Sequence, residues 1–312
     1  MSSLFDVGLR VYRGTIKRVK PLHQFSHWVM SHAVIPVLER RERFRTIPDD
    51  PFWFRMELLT NRHEQETMTH VHRVVGPGMT VLDIGAHVGF YARQCAELVG
   101  NNGRVLAFEP HPRTFAVLEQ NTARFSQVSV HQMAIAEERG TAELHDYLMM
   151  SASGSLNYDP QLADLQRSQT TDNDHAPRLN EGFAAQTFTV DTAPIDAILA
   201  EKGIERVDFV KMDIEGAELG ALRSMRQTIA ASPGMTLIME YNPHALQAFD
   251  LDPVAALDEV IALGFDRIQV IEADGNLTDI TGDQATTRTL AERLMQHMDV
   301  VNLFITKAGG DV

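Results

Sequence analysis

From residue 80 onward, apolar runs of four to six residues alternate with helix-patterned stretches, and this alternation restricts the fold more than any other feature of the chain. The runs fall at 80–84, 104–108, 128–133, 207–212, 236–240, 267–271 and 302–306. Helical patterns lie among them at 91–99, 113–125, 218–230 and 253–263. Strands that are apolar on both faces need cover on both faces, which crossover helices between parallel neighbours supply. The spacing therefore predicts an α/β fold built on a mainly parallel sheet, with one extra short strand at 141–147. Cys95 falls on the apolar side of a helical pattern and reads as core.

Ahead of the alternation the chain reads as helical. Residues 4–20 place Phe5, Leu9, Tyr12, Ile16 and Val19 on one stripe and Arg10, Arg13, Lys17 and Lys20 on another. A second helical pattern over 28–43 is interrupted at Pro36, Asp49-Asp50-Pro51 is turn chemistry, and a third helix is expected over 64–75 before Gly76-Pro77-Gly78. Residues 150–186 break the alternation with a polar stretch, which suggests a lid.

Charge is unevenly spread. Residues 1–45 carry nine Lys/Arg against Asp6, Glu39 and Glu42, whereas the whole chain has a net charge of −14. A body this acidic repels a phosphate backbone, so no nucleic-acid partner is expected. The same body attracts its own basic arm, so the N-terminal helices are expected to cover the catalytic domain or to form a homodimer contact, with membrane association disfavoured. No apolar run approaches the ~20 residues of a membrane span, no secretory signal is evident, and the lone cysteine fits a reducing compartment. The expected address is the cytoplasm.

The chemistry concentrates at strand ends. The first strand runs out through Asp83 into Gly85-Ala86-His87-Val88-Gly89 and then a helix. A dinucleotide turn needs glycine where His87 stands, because backbone must approach a pyrophosphate. The turn suits a nucleoside cofactor without phosphates, such as S-adenosylmethionine, with Asp83 drawing its ammonium and helix-start N–H groups its carboxylate. The second strand ends at Glu109-Pro110, 24 residues after Gly85, where an acid can accept ribose hydroxyls. A third strand runs into Asp213, Glu215 and Glu218, and a fourth into Glu240, Asn242 and His244. Asp213, Glu240 and His244 are the candidate catalytic residues, any of which can take a hydroxyl proton. Capping and dipole pairing at a helix start are the competing structural explanation for Asp213, Glu215 and Glu218. Lys211 reads as either a site residue or a counter-ion to these acids. Asp213, Glu240 and Asn242 offer three oxygens to Mg²⁺, but a metal-free site is preferred, and no Cys/His set supports zinc.

Together these motifs resemble the FkbM family of S-adenosylmethionine-dependent methyltransferases over residues 63–306. The resemblance rests on His63-Glu64-Gln65-Glu66, the Asp83-to-Gly89 turn, Phe108-Glu109-Pro110-His111-Pro112, Leu118 to Asn121, Met133-Ala134-Ile135 and Lys211-Met212-Asp213-Ile214-Glu215-Gly216-Ala217-Glu218. It departs at His87, where the family more often has Asn. The resemblance implies a seven-stranded Rossmann-like methyltransferase fold in a domain spanning 63–312, with 1–62 as a helical extension. It implies S-adenosylmethionine as cofactor, held by Glu64, Asp83, Gly85, Ala86, His87, Gly89, Glu109, Pro110, Met133, Ala134 and Asp213, and methyl transfer to a hydroxyl oxygen of a small-molecule, sugar or natural-product acceptor. The weighed alternatives are an N-methyltransferase, a nicotinamide oxidoreductase and a non-catalytic module that binds S-adenosylmethionine.

Overall fold

The structure is a computed structural model that describes residues 28–146, 151, 154–157 and 186–308. The predicted helix over 4–20 and most of the expected lid at 150–186 lie outside the described residues.

The first helices of the described chain are α1 (Ile35–Glu42), entered through a π-helical turn and carrying Pro36 in its first turn, α2 (Phe52–Leu59) and α3 (Gln65–Val74). Pro36 closely follows that widened turn inside a continuous helical run, which accommodates a ring without an N–H. The sheet then begins with β1 (Thr80–Ile84), α4 (Phe90–Val99), β2 (Arg104–Phe108), α5 (Pro112–Thr122) and β3 (Val128–His131). After an excursion through β4 (Ala134–Ile135), β5 (Gly140–Asp146), β6 (Gly154–Ser155), β7 (Gln186–Ala193) and α6 (Ile195–Glu201), it resumes with β8 (Phe209–Met212). The remaining elements are α7 (Glu218–Arg223), α8 (Arg226–Ala231), β9 (Thr236–Tyr241), α9 (Pro243–Ala248) and α10 (Pro253–Ala262). The chain closes with β10 (Arg267–Ile271), β11 (Leu277–Asp279), α11 (Gln284–His297) and β12 (Val301–Thr306).

The main sheet has strand order β11-β10-β12-β9-β8-β1-β2-β3. Strands β3, β2, β1, β8 and β9 are mutually parallel, and β12 is antiparallel to both β9 and β10. The order reverses at β1, which pairs β2 on one side and β8 on the other. Crossovers leave this point in opposite directions and open a crevice beyond the strand ends, the usual ligand position in such sheets.

Three features depart from the sequence reading. The sheet has eight strands, because Asp274-Gly275 turns the chain back and adds β11 to the edge. The helix predicted over 218–230 is two helices: Ser224 accepts a hydrogen bond from Ile195 N–H at 3.2 Å on its hydroxyl and one from Asp196 N–H at 3.0 Å on its carbonyl, and this tie to α6 interrupts the α7–α8 run. A second, four-stranded sheet, β4-β7-β5-β6, forms from sequence that read mostly as loop. Its β5 and β7 pair from Gly140↔Thr192 to Asp146↔Gln186, and Ala134, Leu144 and Val190 form its small core.

The N-terminal segment belongs to the core. Ile35, Phe44, Ile47, Phe54 and Leu58 are buried in one cluster with Val81, Ala92, Cys95 and Val105. Cys95 is fully buried, and that burial pushes its thiol pKa well up.

Gly85 and Gly78 share the same left-handed φ of 83°, but a Cβ at Gly85 would stand 1.9 Å from the carbonyl oxygen of Asp213, whereas one at Gly78 would meet nothing within 4 Å. Gly85→Ala should therefore cost about 3 kcal/mol, strain plus overlap, and Gly78→Ala about 1 kcal/mol from strain alone. Urea titrations of both variants check this.

Candidate active site

The cleft lies over the carboxyl ends of β1, β2, β8 and β9. Gly85, Ala86 and His87 line it from β1, Glu109 and Pro110 from β2, Asp213 and Glu215 from β8, and Glu240 from β9. Met133, Ala134 and Ile135, together with Leu144 of the small sheet, form an apolar wall.

The turn after β1 is locked by its own backbone. Gly85 and Ala86 N–H both donate to the Phe108 carbonyl, at 3.0 and 2.9 Å, and Gly89 N–H donates to that of Ala86 at 2.8 Å. His87 N–H donates to Glu109 Oε2 at 2.8 Å. These N–H groups are thus engaged within the protein, not aimed at a ligand carboxylate. Gly89 does not line the cleft; a Cβ there would sit 2.7 Å from Leu118 Cδ1, so its glycine serves helix packing. Glu109 also accepts, on Oε1, from His111 N–H at 2.9 Å and the Thr114 hydroxyl at 2.8 Å. A carboxylate offers about four acceptor positions, so one remains on Oε2. Burial raises the Glu109 pKa against the pull of these three bonds.

At the other end, acids surround one cation. The Lys211 ammonium is fully buried, 3.3 Å from Asp213 Oδ2, 3.4 Å from Asn302 Oδ1 and 5.2 Å from the Tyr91 ring centroid. Burial alone would lower its pKa, but Asp213, Glu64 and Glu240 reverse the direction and raise it. Glu64 Oε2 accepts from the Tyr91 hydroxyl at 2.6 Å and from Asn302 Nδ2 at 3.1 Å. Burial pushes the Glu64 carboxyl up, yet Lys211, His63 and these two bonds outweigh it and hold its pKa below the ordinary value. The other acids go the opposite way. Burial, with neighbouring carboxylates, pushes Glu215 up to about 8 and Glu218 to about 7, and raises Glu240 well above the carboxylate range. Asp83, only 1% exposed beneath the turn, is pushed by burial to about 7, and its Oδ2 has no partner. Glu240 Oε1 is likewise buried without a partner.

The structure thus gathers Glu64, Gly85, Ala86, His87, Glu109, Pro110, Met133, Ala134, Asp213 and Glu240 around one cleft. It does not bring Asp83, Gly89 or His244 to its lining; His244 sits in the first turn of α9. Glu218 accepts from Ile214 and Gly216 N–H at 3.1 and 3.2 Å and holds the β8 turn, a structural role. Residues the sequence reading did not select also reach the site. Phe54, Leu58, His63 and Phe90 form an aromatic and apolar rim, and His111 and Ser151 complete it. His87 Nε2 lies 2.5 Å from the Ser151 hydroxyl, which donates to Asp50 Oδ2 at 2.6 Å. Asp50 and Phe54 come from the segment before residue 62, and no sequence pattern there signalled a site. Among the described residues, no group of three or more His, Cys, Asp or Glu side chains is placed to hold a metal ion, and no helix is long and apolar enough to cross a membrane.

The cleft is thus built on a mainly parallel sheet, with an acid at the tip of β2 and further acids at the ends of β8 and β9. A family model of the methyltransferase FkbM domain matches residues 83–267, and the chain belongs to that family. Curated relatives include the 2-O-methyltransferase NoeI of Sinorhizobium fredii, 25% identical over 58% of this chain and 71% of its own length. The hexuronic acid methyltransferase AglP of Haloferax volcanii is 26% identical over 47% of this chain and 50% of its own. Methyltransferase 1 of Beauveria bassiana is 27% identical over 46% and 57%. Among solved structures, a SAM dependent methyltransferase from Aquifex aeolicus aligns over 87% of this chain and 97% of that chain at 14% identity, with a TM-score of 0.40.

The raised pKa of Glu218 has a stability signature. The folded chain keeps this proton up to about pH 7, whereas the unfolded chain loses it near the ordinary carboxyl value of 4.5. Stability from this group is therefore complete below about pH 4.5 and is lost as pH rises toward 7. Glu218→Gln keeps an oxygen for the two N–H donors and cannot titrate. Relative to this variant, the wild type should lose up to about 1.4 kcal/mol per pH unit across that window and run parallel above it. Urea titrations at stepped pH check this.

Proposed function

We propose that the protein transfers a methyl group from S-adenosylmethionine to a hydroxyl oxygen of a small-molecule or sugar acceptor. The observation that carries this reading is the pairing, in one cleft, of a pre-organised Glu109 at the tip of β2 with ionisable acids at the ends of β8 and β9. The residues present fit the cofactor. Glu109 Oε2 keeps an acceptor position for a ribose hydroxyl, and Met133, Ala134, Ile135 and Leu144 offer an apolar slot for a base. Glu64, held ionised at the far end, is the fitting partner for an ammonium, in place of the buried Asp83. The names of NoeI and AglP support hydroxyl and sugar acceptors.

The cofactor, when bound, supplies an activated methyl group on a sulfonium. The protein then has to position an acceptor oxygen and remove its proton. Fixed geometry contributes most, as much as ~7–11 kcal/mol in favourable cases. Of the acids, Asp213 is committed to the Lys211 ammonium at 3.3 Å. Glu240 has a buried oxygen without a partner at the cleft and, once ionised, is the better base. His244 lies outside the cleft lining and has no role here.

Calorimetric titration should give binding of S-adenosylhomocysteine and none of NAD; the reverse pattern overturns the reading. Methyl-labelled cofactor with a panel of hydroxylated acceptors, followed by mass spectrometry, should yield a labelled ether. Glu109→Gln should weaken cofactor binding by roughly 10–150-fold, as expected for losing a charged hydrogen bond of about 1.5–3 kcal/mol. Glu240→Gln should lower kcat by about 10²–10⁴-fold and leave the folded cleft intact.

A further inference from the structure

Four carboxyl groups, those of Glu64, Asp213, Glu215 and Glu240, line one region of the cleft around the single buried ammonium of Lys211. Glu240 is the group with most to gain from a second cation. Its Oε1 is buried without a hydrogen-bond partner, and its neighbours on the sheet do not supply one. Across β12 it faces Asn302, whose amide nitrogen goes to Glu64 and whose oxygen lies near Lys211. From β8 and the turn after it come Lys211, Asp213, Glu215 and Glu218; of these only Lys211 is cationic, and it sits closest to Asp213. Asp83 on β1 and Tyr91 on α4 add no positive charge, and the His63 imidazole is directed at Glu64, 3.6 Å from its Oε1. The region therefore holds more acid than its one lysine can balance, beside a rim of Phe54, Phe90 and Tyr91.

We infer that this cluster is a charge filter: Glu240, with Glu215, gives up a proton when a cationic cofactor enters and so selects the methyl-bearing sulfonium over its neutral demethylated product. The inference rests on the proposed function and adds a basis for discrimination and for product release. The balance closes over one turnover. Entry of the cation sends one proton from a carboxyl to solvent. Methyl transfer then breaks the sulfur–methyl bond, forms the oxygen–methyl bond and moves the hydroxyl proton to the Glu240 carboxylate. The sulfur ends as a neutral thioether facing a neutral acid. The attraction that held the sulfonium is gone, and the cluster has regained the proton it released. The burial and crowding of carboxylates that raise the proton affinities of Glu240 and Glu215 agree with this exchange.

The test compares two probes on the full chain: S-adenosylhomocysteine, neutral at sulfur, and sinefungin, which carries an ammonium where the sulfonium would be. Isothermal titration in two buffers of different ionisation enthalpy counts protons released on binding. Sinefungin should release about one proton more than S-adenosylhomocysteine, and its relative affinity should rise about tenfold per pH unit between roughly pH 6.5 and 8. Glu240→Gln should flatten that rise; if this variant does not fold, Glu215→Gln is read in the same way. Equal proton counts and a pH-independent affinity ratio for two ligands that both bind overturn the filter and leave the cofactor reading standing. Failure of both ligands to bind overturns the cofactor reading, and the filter with it.

Discussion

The buried ammonium of Lys211 is the charge on which the site depends. It lies in the middle of the sheet, on a strand with no exposed residue, and a lone ammonium there would be too costly to keep charged. Asp213 follows it out of the same strand, Glu64 reaches it from the turn before α3, and Glu240 stands beside it on β9. One cation thus draws three separate chain segments to one point. The arrangement also divides the acids by state: Glu64 is held ionised, and Glu240, farther from compensation, is left with a high proton affinity.

The other end of the cleft is organised by hydrogen bonds. Glu109 is tied to His87 N–H, His111 N–H and Thr114, so the turn after β1 and the start of α5 are set by one carboxylate. Gly85 lets that turn pass within contact of Asp213, which joins the two ends. The distance from Glu109 to the acidic cluster is therefore fixed by backbone packing between β1, β2 and β8, not by flexible side chains. Such rigidity suits a reaction in which position supplies most of the rate.

Much of this was legible in the chain. Parallel buried strands announce themselves as short apolar runs, and the acids at their ends are readable because few other places tolerate a charge beside so apolar a run. That logic selected Glu109, Asp213 and Glu240, and all three line one cleft. It likewise selected Asp83, whose carboxyl lies beneath the turn after β1, and His244, in the first turn of α9, and neither lines that cleft. It also passed over α11, although Asp283 caps it by accepting from Thr286 N–H, and over β7, whose alternating Thr187, Thr189 and Asp191 face outward from a small sheet.

What the sequence determined by itself is the parallel strands of the main sheet and the acids at their ends, because each follows from local periodicity. What only the tertiary structure decided is which of these groups meet. The rim supplied by Phe54 and Leu58, the link from Asp50 through Ser151 to His87, and the sharing of Lys211 among acids distant in sequence all depend on sheet order and crossover. Those proton affinities belong to the assembled cluster as well. Burial and mutual repulsion move Glu215 and Glu240 upward, and neither force exists until the strands that carry them lie side by side.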